Sequence, residues 1–213
     1  MIRSSLLATA LFALILCVFL CAAATDCRAD DEDRKGGLIG LAEMNGEPTP
    51  IAYHYPHGEL FPPDLIRLRF HDGEKELPSV RIDFVGYVDV PEETKVDIYH
   101  AAGGVNGDHG TLYVDGRRIG QVGDDTVKVV VYSLTLPEGT HEVRWELTGG
   151  LFQPNILKFQ DANSGKLLSV FHTTKQSEET GAAKARTLIE AKGKVAGWPP
   201  AEGEWTRVAA EKE

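Results

Sequence analysis

Two short stretches carry the side chains best suited to chemistry. Residues 101–110 run Ala101-Ala102-Gly103-Gly104-Val105-Asn106-Gly107-Asp108-His109-Gly110, a glycine-rich segment that is long for a hairpin connection. It brings an amide (Asn106), a carboxylate (Asp108) and an imidazole (His109) together, and long loops on rigid sheets are where binding groups concentrate. The second stretch is Asp124-Asp125 after Gly123. Two adjacent carboxylates repel unless a cation or basic group lies between them, so the pair reads either as part of a ligand site or as a solvated turn near Lys128.

Other constellations have simpler readings. Asp161-Ala162-Asn163-Ser164-Gly165 copies the first half of a calcium loop but runs directly on to Leu167-Leu168, without the closing glutamate such a loop requires. A hairpin turn accounts for it. His54, His57 and Glu59 supply ligand types suited to zinc or copper, yet Pro56 and Gly58 mark a turn and no third histidine follows at ligand spacing. Signatures of a serine nucleophile elbow, a zinc protease helix, a phosphate loop and a dinucleotide fold are absent. These residues point to binding rather than catalysis. A hydrolytic carboxylate pair assembled from distant residues is the remaining catalytic option.

The N-terminus reads as a targeting segment. Arg3 precedes an apolar run, Leu11 to Leu20, and Ala22-Ala23-Ala24 supplies small residues for cleavage. Residues 1–24 are therefore expected to be a signal peptide, with an uncleaved membrane anchor as the alternative. Either way the domain is expected outside the cytoplasm, secreted or associated with the cell envelope. Cleavage there leaves Cys27 as the one remaining cysteine of three, so the fold must be stable without internal disulfides. The removed segment carries Arg3 and no acidic residue, which takes the formal charge from −10 to −11. So acidic a chain does not suit nucleic acid, whose phosphates demand clustered Lys and Arg.

Residues 25–36 are charged and read as a linker, residues 37–173 as the domain, and residues 174–213 as a polar tail dispensable for folding, with a helix near 182–192. Within the domain, alternation has a period of two. His141-Glu142-Val143-Arg144-Trp145-Glu146-Leu147 turns Val143, Trp145 and Leu147 inward and the charges to water. Val80-Arg81-Ile82-Asp83-Phe84 and Thr94 to Tyr99 follow the same rule. Strands wet on one face belong to antiparallel sheets. Asp115-Gly116, Pro137-Glu138-Gly139 and Asn163-Ser164-Gly165 read as hairpin turns. The fold class predicted is all-β, an antiparallel, jelly-roll-like β-sandwich.

Four short motifs in order add a family likeness: Gly86-Tyr87-Val88-Asp89-Val90-Pro91, Val96-Asp97-Ile98-Tyr99, Gly110-Thr111-Leu112-Tyr113-Val114-Asp115-Gly116, and Leu136-Pro137-Glu138-Gly139-Thr140-His141-Glu142-Val143. Over residues 60–172 the set resembles the lectin-like β-sandwich of bacterial toxin protective antigens, yeast flocculins and glycosidase accessory domains. The resemblance implies a jelly-roll sandwich and, in sugar-binding members, a calcium held by two adjacent aspartates before the third motif. Here the first is Asp108 and the second position is His109, a poor ligand for a hard cation. Asp108 is thus the candidate metal residue, with little or no calcium binding expected and no other cofactor.

The expected function is an exported, non-catalytic module binding carbohydrate or an envelope partner through Asn106, Asp108, His109, Asp124 and Asp125, with Tyr99 or Tyr113 beneath a sugar ring. The alternative is a structural or protein-interaction domain without a small ligand. Contact with a membrane is expected only through an uncleaved N-terminal segment.

Overall fold

The structure is a computed structural model that describes residues 33–55, 58–60, 79–102, 109–123, 129–149, 155–190 and 205–209. In chain order the strands are β1 (Arg34–Gly36), β2 (Leu38–Met44), β3 (Glu47–Tyr55), β4 (Gly58–Leu60), β5 (Val80–Val90), β6 (Thr94–Ala101), β7 (His109–Val114), β8 (Arg117–Gly123), β9 (Val129–Leu136), β10 (Gly139–Gly149), β11 (Asn155–Asp161), β12 (Ser169–Thr173), β13 (Thr187–Glu190) and β14 (Trp205–Ala209). A short helix, α1 (Thr174–Glu179), and a 3-10 turn (Ala182–Lys184) stand beside them.

These strands form two sheets. The first runs β13-β3-β2-β5-β10-β7-β8, with β12 beside β5 and β1 beside β12; the second runs β14-β9-β6-β11-β4. The all-β sandwich expected from period-two alternation is the fold. Val80, Ile82, Phe84, Val88 and Val90 of β5 and Val143, Trp145 and Leu147 of β10 are at most 3% exposed, whereas Glu142 and Arg144 between them face solvent. Val96 and Ile98 of β6 close the core from the second sheet.

An aromatic cluster of the first sheet reaches the second sheet through its polar tips. Tyr55, Phe84 and Trp145 meet with ring centroids 5.1–5.8 Å apart. The Tyr55 hydroxyl donates to the Leu157 carbonyl (3.0 Å) and accepts from the Leu157 N–H (2.8 Å), across the sandwich. Trp145 Nε1 donates to His100 Nε2 at 3.1 Å. Such partners let large polar-tipped rings be buried without an unpaired group. At Gly86 there is no room for a side chain: a Cβ would lie 2.5 Å from Leu38 Cδ2 and 2.6 Å from the Phe171 carbonyl oxygen. The reason is topological, since β2 pairs with residues 80–85 of β5 and β12 with residues 87–89 along the same edge.

Several local expectations change in three dimensions. Asp115-Gly116 joins a true hairpin, β7 to β8, with φ of +51° and +73°. Pro137–Gly139 does not, because β9 belongs to the second sheet and β10 to the first. The turn at 163–165 is a short hairpin, with Gln160 bridging Leu167 antiparallel and the Leu168 N–H donating to the Phe159 carbonyl at 3.0 Å, before the chain passes on to β12 in the first sheet. A further tight hairpin joins β2 to β3 at Asn45-Gly46, with φ of +53° and +84°. The segments flanking the core are also more structured than their composition suggests. Arg34 in β1 binds Asp89 at 2.6 Å and stacks 4.2 Å over Phe171.

Of the helix expected over 182–192, the described residues 182–190 form a 3-10 turn and β13 instead, and α1 comes earlier, held by a capping box between Thr173 and Gln176. Ala182 packs with Ile39 and Ala52, after which β13 and β14 add to β3 and β9 in parallel. Helix propensity is worth only tenths of a kcal/mol per residue, less than burial against a sheet and pairing along its edges.

Candidate functional site

Register brings the roots of the two predicted loops together. His109, half-exposed, is the cross-strand partner of Gly123 on one side and of Thr148 on the other. The start of β7 and the ends of β8 and β10 therefore lie together at one rim of the first sheet. Asn106, Asp108, Asp124 and Asp125 lie outside the described residues, as does His57. Gly110, which ends the first loop, packs on the buried His100; a Cβ there would come within 2.8 Å of its Nε2. Burial holds the His100 ring neutral, its pKa lowered to about 3, and its Nδ1 has no hydrogen-bond partner among the described residues. Nothing in the sequence pattern marks His100, which shares the inward parity of Val96 and Ile98.

The two candidate tyrosines separate. Tyr99 lies on the outer side of the second sheet, 7% exposed, among Ala101, Val129, Val131 and Ile156, and so offers no ring face to a ligand. Tyr113 lies on the outer face of the first sheet, where β7 alternates half-exposed His109, Thr111 and Tyr113 with buried Gly110, Leu112 and Val114.

Beside Tyr113 is a groove of about 230 Å³, lined by Tyr113, Gly116, Glu142 and Arg144. Pairing makes it: Tyr113 stands opposite Arg144 across the β7–β10 ladder, and Glu142 shares Arg144's face two residues away. The Arg144 guanidinium lies 5.8 Å from the Tyr113 ring centre, at the outer limit of a cation–π contact, so it borders the ring. It turns along the strand to Glu146 (2.6 Å) and Asp83 (3.4 Å). Asp83 also takes two bonds from Arg81 (3.0 and 2.7 Å), and that hydrogen-bonded carboxylate raises the Arg81 pKa.

The β7–β8 turn fixes the groove's end. The Asp115 carboxylate accepts from the Glu142 N–H at 2.9 Å through Oδ1 and meets His141 Nδ1 at 2.6 Å through Oδ2. The Asp115 N–H in turn donates to the Glu142 carbonyl at 2.9 Å. Glu142 and Arg144 were legible in sequence only as solvent-facing positions of β10. Their juxtaposition with Tyr113 depends on strand pairing, although Asp115-Gly116 identified the turn beside them.

The remaining candidates serve as structure. The Asp161 carboxylate accepts the N–H groups of Asn163 (2.7 Å) and Ser164 (3.1 Å), and these bonds, that of Ser164 foremost, lower its pKa. His54 is hydrogen-bonded to the Gly36 carbonyl and lies edge-on to His172, with centroids 5.6 Å apart. Among the described residues, no three His, Cys, Asp or Glu side chains gather as a metal site would require.

No protein-family model matches the sequence, and no curated protein matches it. Among solved structures, the chain is similar to the GH31 α-xylosidase of Xanthomonas citri at 17% identity, with a TM-score of 0.47, covering 64% of this chain and 15% of that one. The β-glucosidase of Kluyveromyces marxianus in complex with glucose gives 19% identity and a TM-score of 0.47, covering 79% of this chain and 19% of that one. The PA14 domain of the antifreeze protein MpAFP gives 14% identity and a TM-score of 0.44, covering 70% of this chain and 97% of that one. The chain thus spans less than a fifth of either glycosidase. At these identities and TM-scores none of the three assigns a ligand or an activity.

Proposed function

We propose that this protein is an exported, non-catalytic binding module that takes a carbohydrate ring in the groove beside Tyr113. The observation that carries the reading is the meeting of a half-exposed aromatic, a carboxylate and a guanidinium around one concavity of about 230 Å³. A tyrosine offers a sugar an apolar surface for its C–H groups, while charged side chains accept from and donate to its hydroxyls. Pockets for drug-sized ligands run to roughly 300–1,000 Å³, so this groove suits a single ring. A protein-docking face would instead present a contiguous apolar patch. Among the described residues, Leu167 is the one large apolar side chain that is strongly exposed.

The test is a glycan array probed with the wild-type protein and Tyr113→Ala, with and without calcium. Binding of at least one glycan class, lost in a Tyr113→Ala variant that melts like the parent, is the expected result. Retention of no glycan, or binding indifferent to Tyr113, overturns the proposal in favour of a structural or protein-interaction role. Export is tested separately by the mass of the mature protein, expected to begin near Thr25; a product retaining Met1 to Leu20 contradicts cleavage.

A further inference from the structure

Resting on the carbohydrate reading of the groove, we infer that its preferred ligand is a cationic amino sugar, with neutral sugars weaker and acidic sugars excluded. Charge decides this. Among the described residues Arg144 is the only cation lining the groove, and Glu146 at 2.6 Å and Asp83 at 3.4 Å already hold it. Arg81 completes that cluster through Asp83, with Glu43 opposite it on β2, so the positive charge beside the groove is already met by carboxylates. Glu142 stands outside the cluster. Its backbone is fixed from both sides by Asp115, and its carboxylate has no ion pair among the described residues.

Glu142 is therefore the uncompensated charge of the groove, and its sign is negative. Asp115 closes the same end but spends its oxygens on His141 and the Glu142 N–H, which leaves Glu142 as the acidic group that lines the groove. The formal charge of −10 over the whole chain reinforces the sign at longer range. Space is available there too, since a Cβ added to Gly116 would meet no atom within 4 Å. A ring carrying a protonated amine could place that amine against Glu142 and beside the negative face of Tyr113. A uronic acid would meet like charge from Glu142, while Arg144, which borders the groove, is already paired with Glu146 and Asp83.

Because Glu142 is exposed, the expected preference is modest, about two- to fivefold in Kd, the range of solvent-accessible ion pairs. The experiment is calorimetric titration at low salt and about pH 6, where an amine is charged, with a glucosamine trimer, its N-acetylated counterpart, a galacturonate trimer and trilysine. The glucosamine trimer should bind tightest, its advantage over the acetylated trimer vanishing in Glu142→Gln and shrinking in high salt. Equal affinity for the two in the wild type, or a preference that survives in Glu142→Gln, overturns the inference while leaving carbohydrate binding intact. Trilysine binding as tightly as the sugar overturns the sugar assignment. Failure of every trimer to bind, or binding unaffected by Tyr113→Ala, overturns the carbohydrate reading and this inference with it.

Discussion

The ring of His141 lies 2.6 Å through Nδ1 from Asp115 Oδ2, and this contact locks the β7–β8 turn onto the start of β10. The same ring reaches the Pro137 carbonyl with Nε2 at 3.0 Å. One imidazole thus joins a hairpin of the first sheet to the crossover that arrives from the second. Only 8% of its side chain is exposed, so its bonds compete little with water.

Asp115→Ala should be costly for three separable reasons. It removes the acceptor of the Glu142 N–H and the partner of His141, and it puts alanine where φ is +51°. Left-handed backbone alone costs about 1–2 kcal/mol, so a total of roughly 2–3 kcal/mol is expected once the part-buried bond to His141 is also lost. Asparagine tolerates that backbone and keeps an acceptor oxygen, so Asp115→Asn should recover much of the loss. Urea denaturation of Asp115→Ala and Asp115→Asn is the check; equal midpoints for both would show that neither the backbone nor the bonds matter.

Trp145 and His100 form a second coupled pair. Trp145→Ala should cost about 3–5 kcal/mol, as deletion of a buried tryptophan typically does. Trp145→Phe keeps most of the volume but strips the donor from His100 Nε2, and should cost about 1–3 kcal/mol. Thermal or urea unfolding measures both. A Trp145→Ala protein that melts like the parent is incompatible with a ring 0% exposed.

The same histidine should make the fold sensitive to acid. Its pKa is lowered from 6.5 to about 3 by burial. As the pH falls, the unfolded chain takes up this proton first, so stability present above 6.5 is lost progressively down to about 3. His172, also lowered chiefly by desolvation, acts with the same sign. The urea midpoint should therefore fall steadily on acidification, and His100→Leu should flatten that slope. A midpoint independent of pH across the window contradicts a buried neutral ring.

The C-terminal segment is expected to matter for stability. Deleting residues 178–213 removes Ala182 from its cluster with Ile39 and Ala52 and uncovers the edges of β3 and β9. A Tm lower by about 5 °C or more is expected, since for a domain of this size each kcal/mol shifts Tm by roughly 2–4 °C. Bared strand edges should also promote aggregation. A truncation that melts like the full chain and stays monomeric would mean these strands add nothing to the sandwich.

Gly120→Ala tests a close approach of the two sheets. A Cβ there would lie 2.2 Å from the Tyr132 ring, and that tyrosine donates to the Gln121 carbonyl at 3.2 Å. Overpacking of this kind typically costs about 1–3 kcal/mol, which denaturant titration would resolve.

What the sequence determined alone was everything that depends on neighbours two residues apart or on a single turn. Alternation placed Trp145, Val143 and Leu147 inside and Glu142 and Arg144 outside, because side chains on a strand point to opposite faces in turn. Asp115-Gly116 declared its hairpin because few residues accept positive φ. Sheet membership was different. Pro137–Gly139 has the chemistry of a hairpin, yet it carries the chain from one sheet to the other, and the choice depends on which distant strands β9 and β10 pair with. Tyr99 and Tyr113 looked equivalent in sequence; pairing sealed one and left the other at the edge of a groove. Tertiary structure alone decided the candidate site, since it needs Tyr113 of β7 beside Arg144 of β10, with Asp83 of β5 drawing the guanidinium aside. Cross-strand contacts join residues tens of positions apart, and no local period records them.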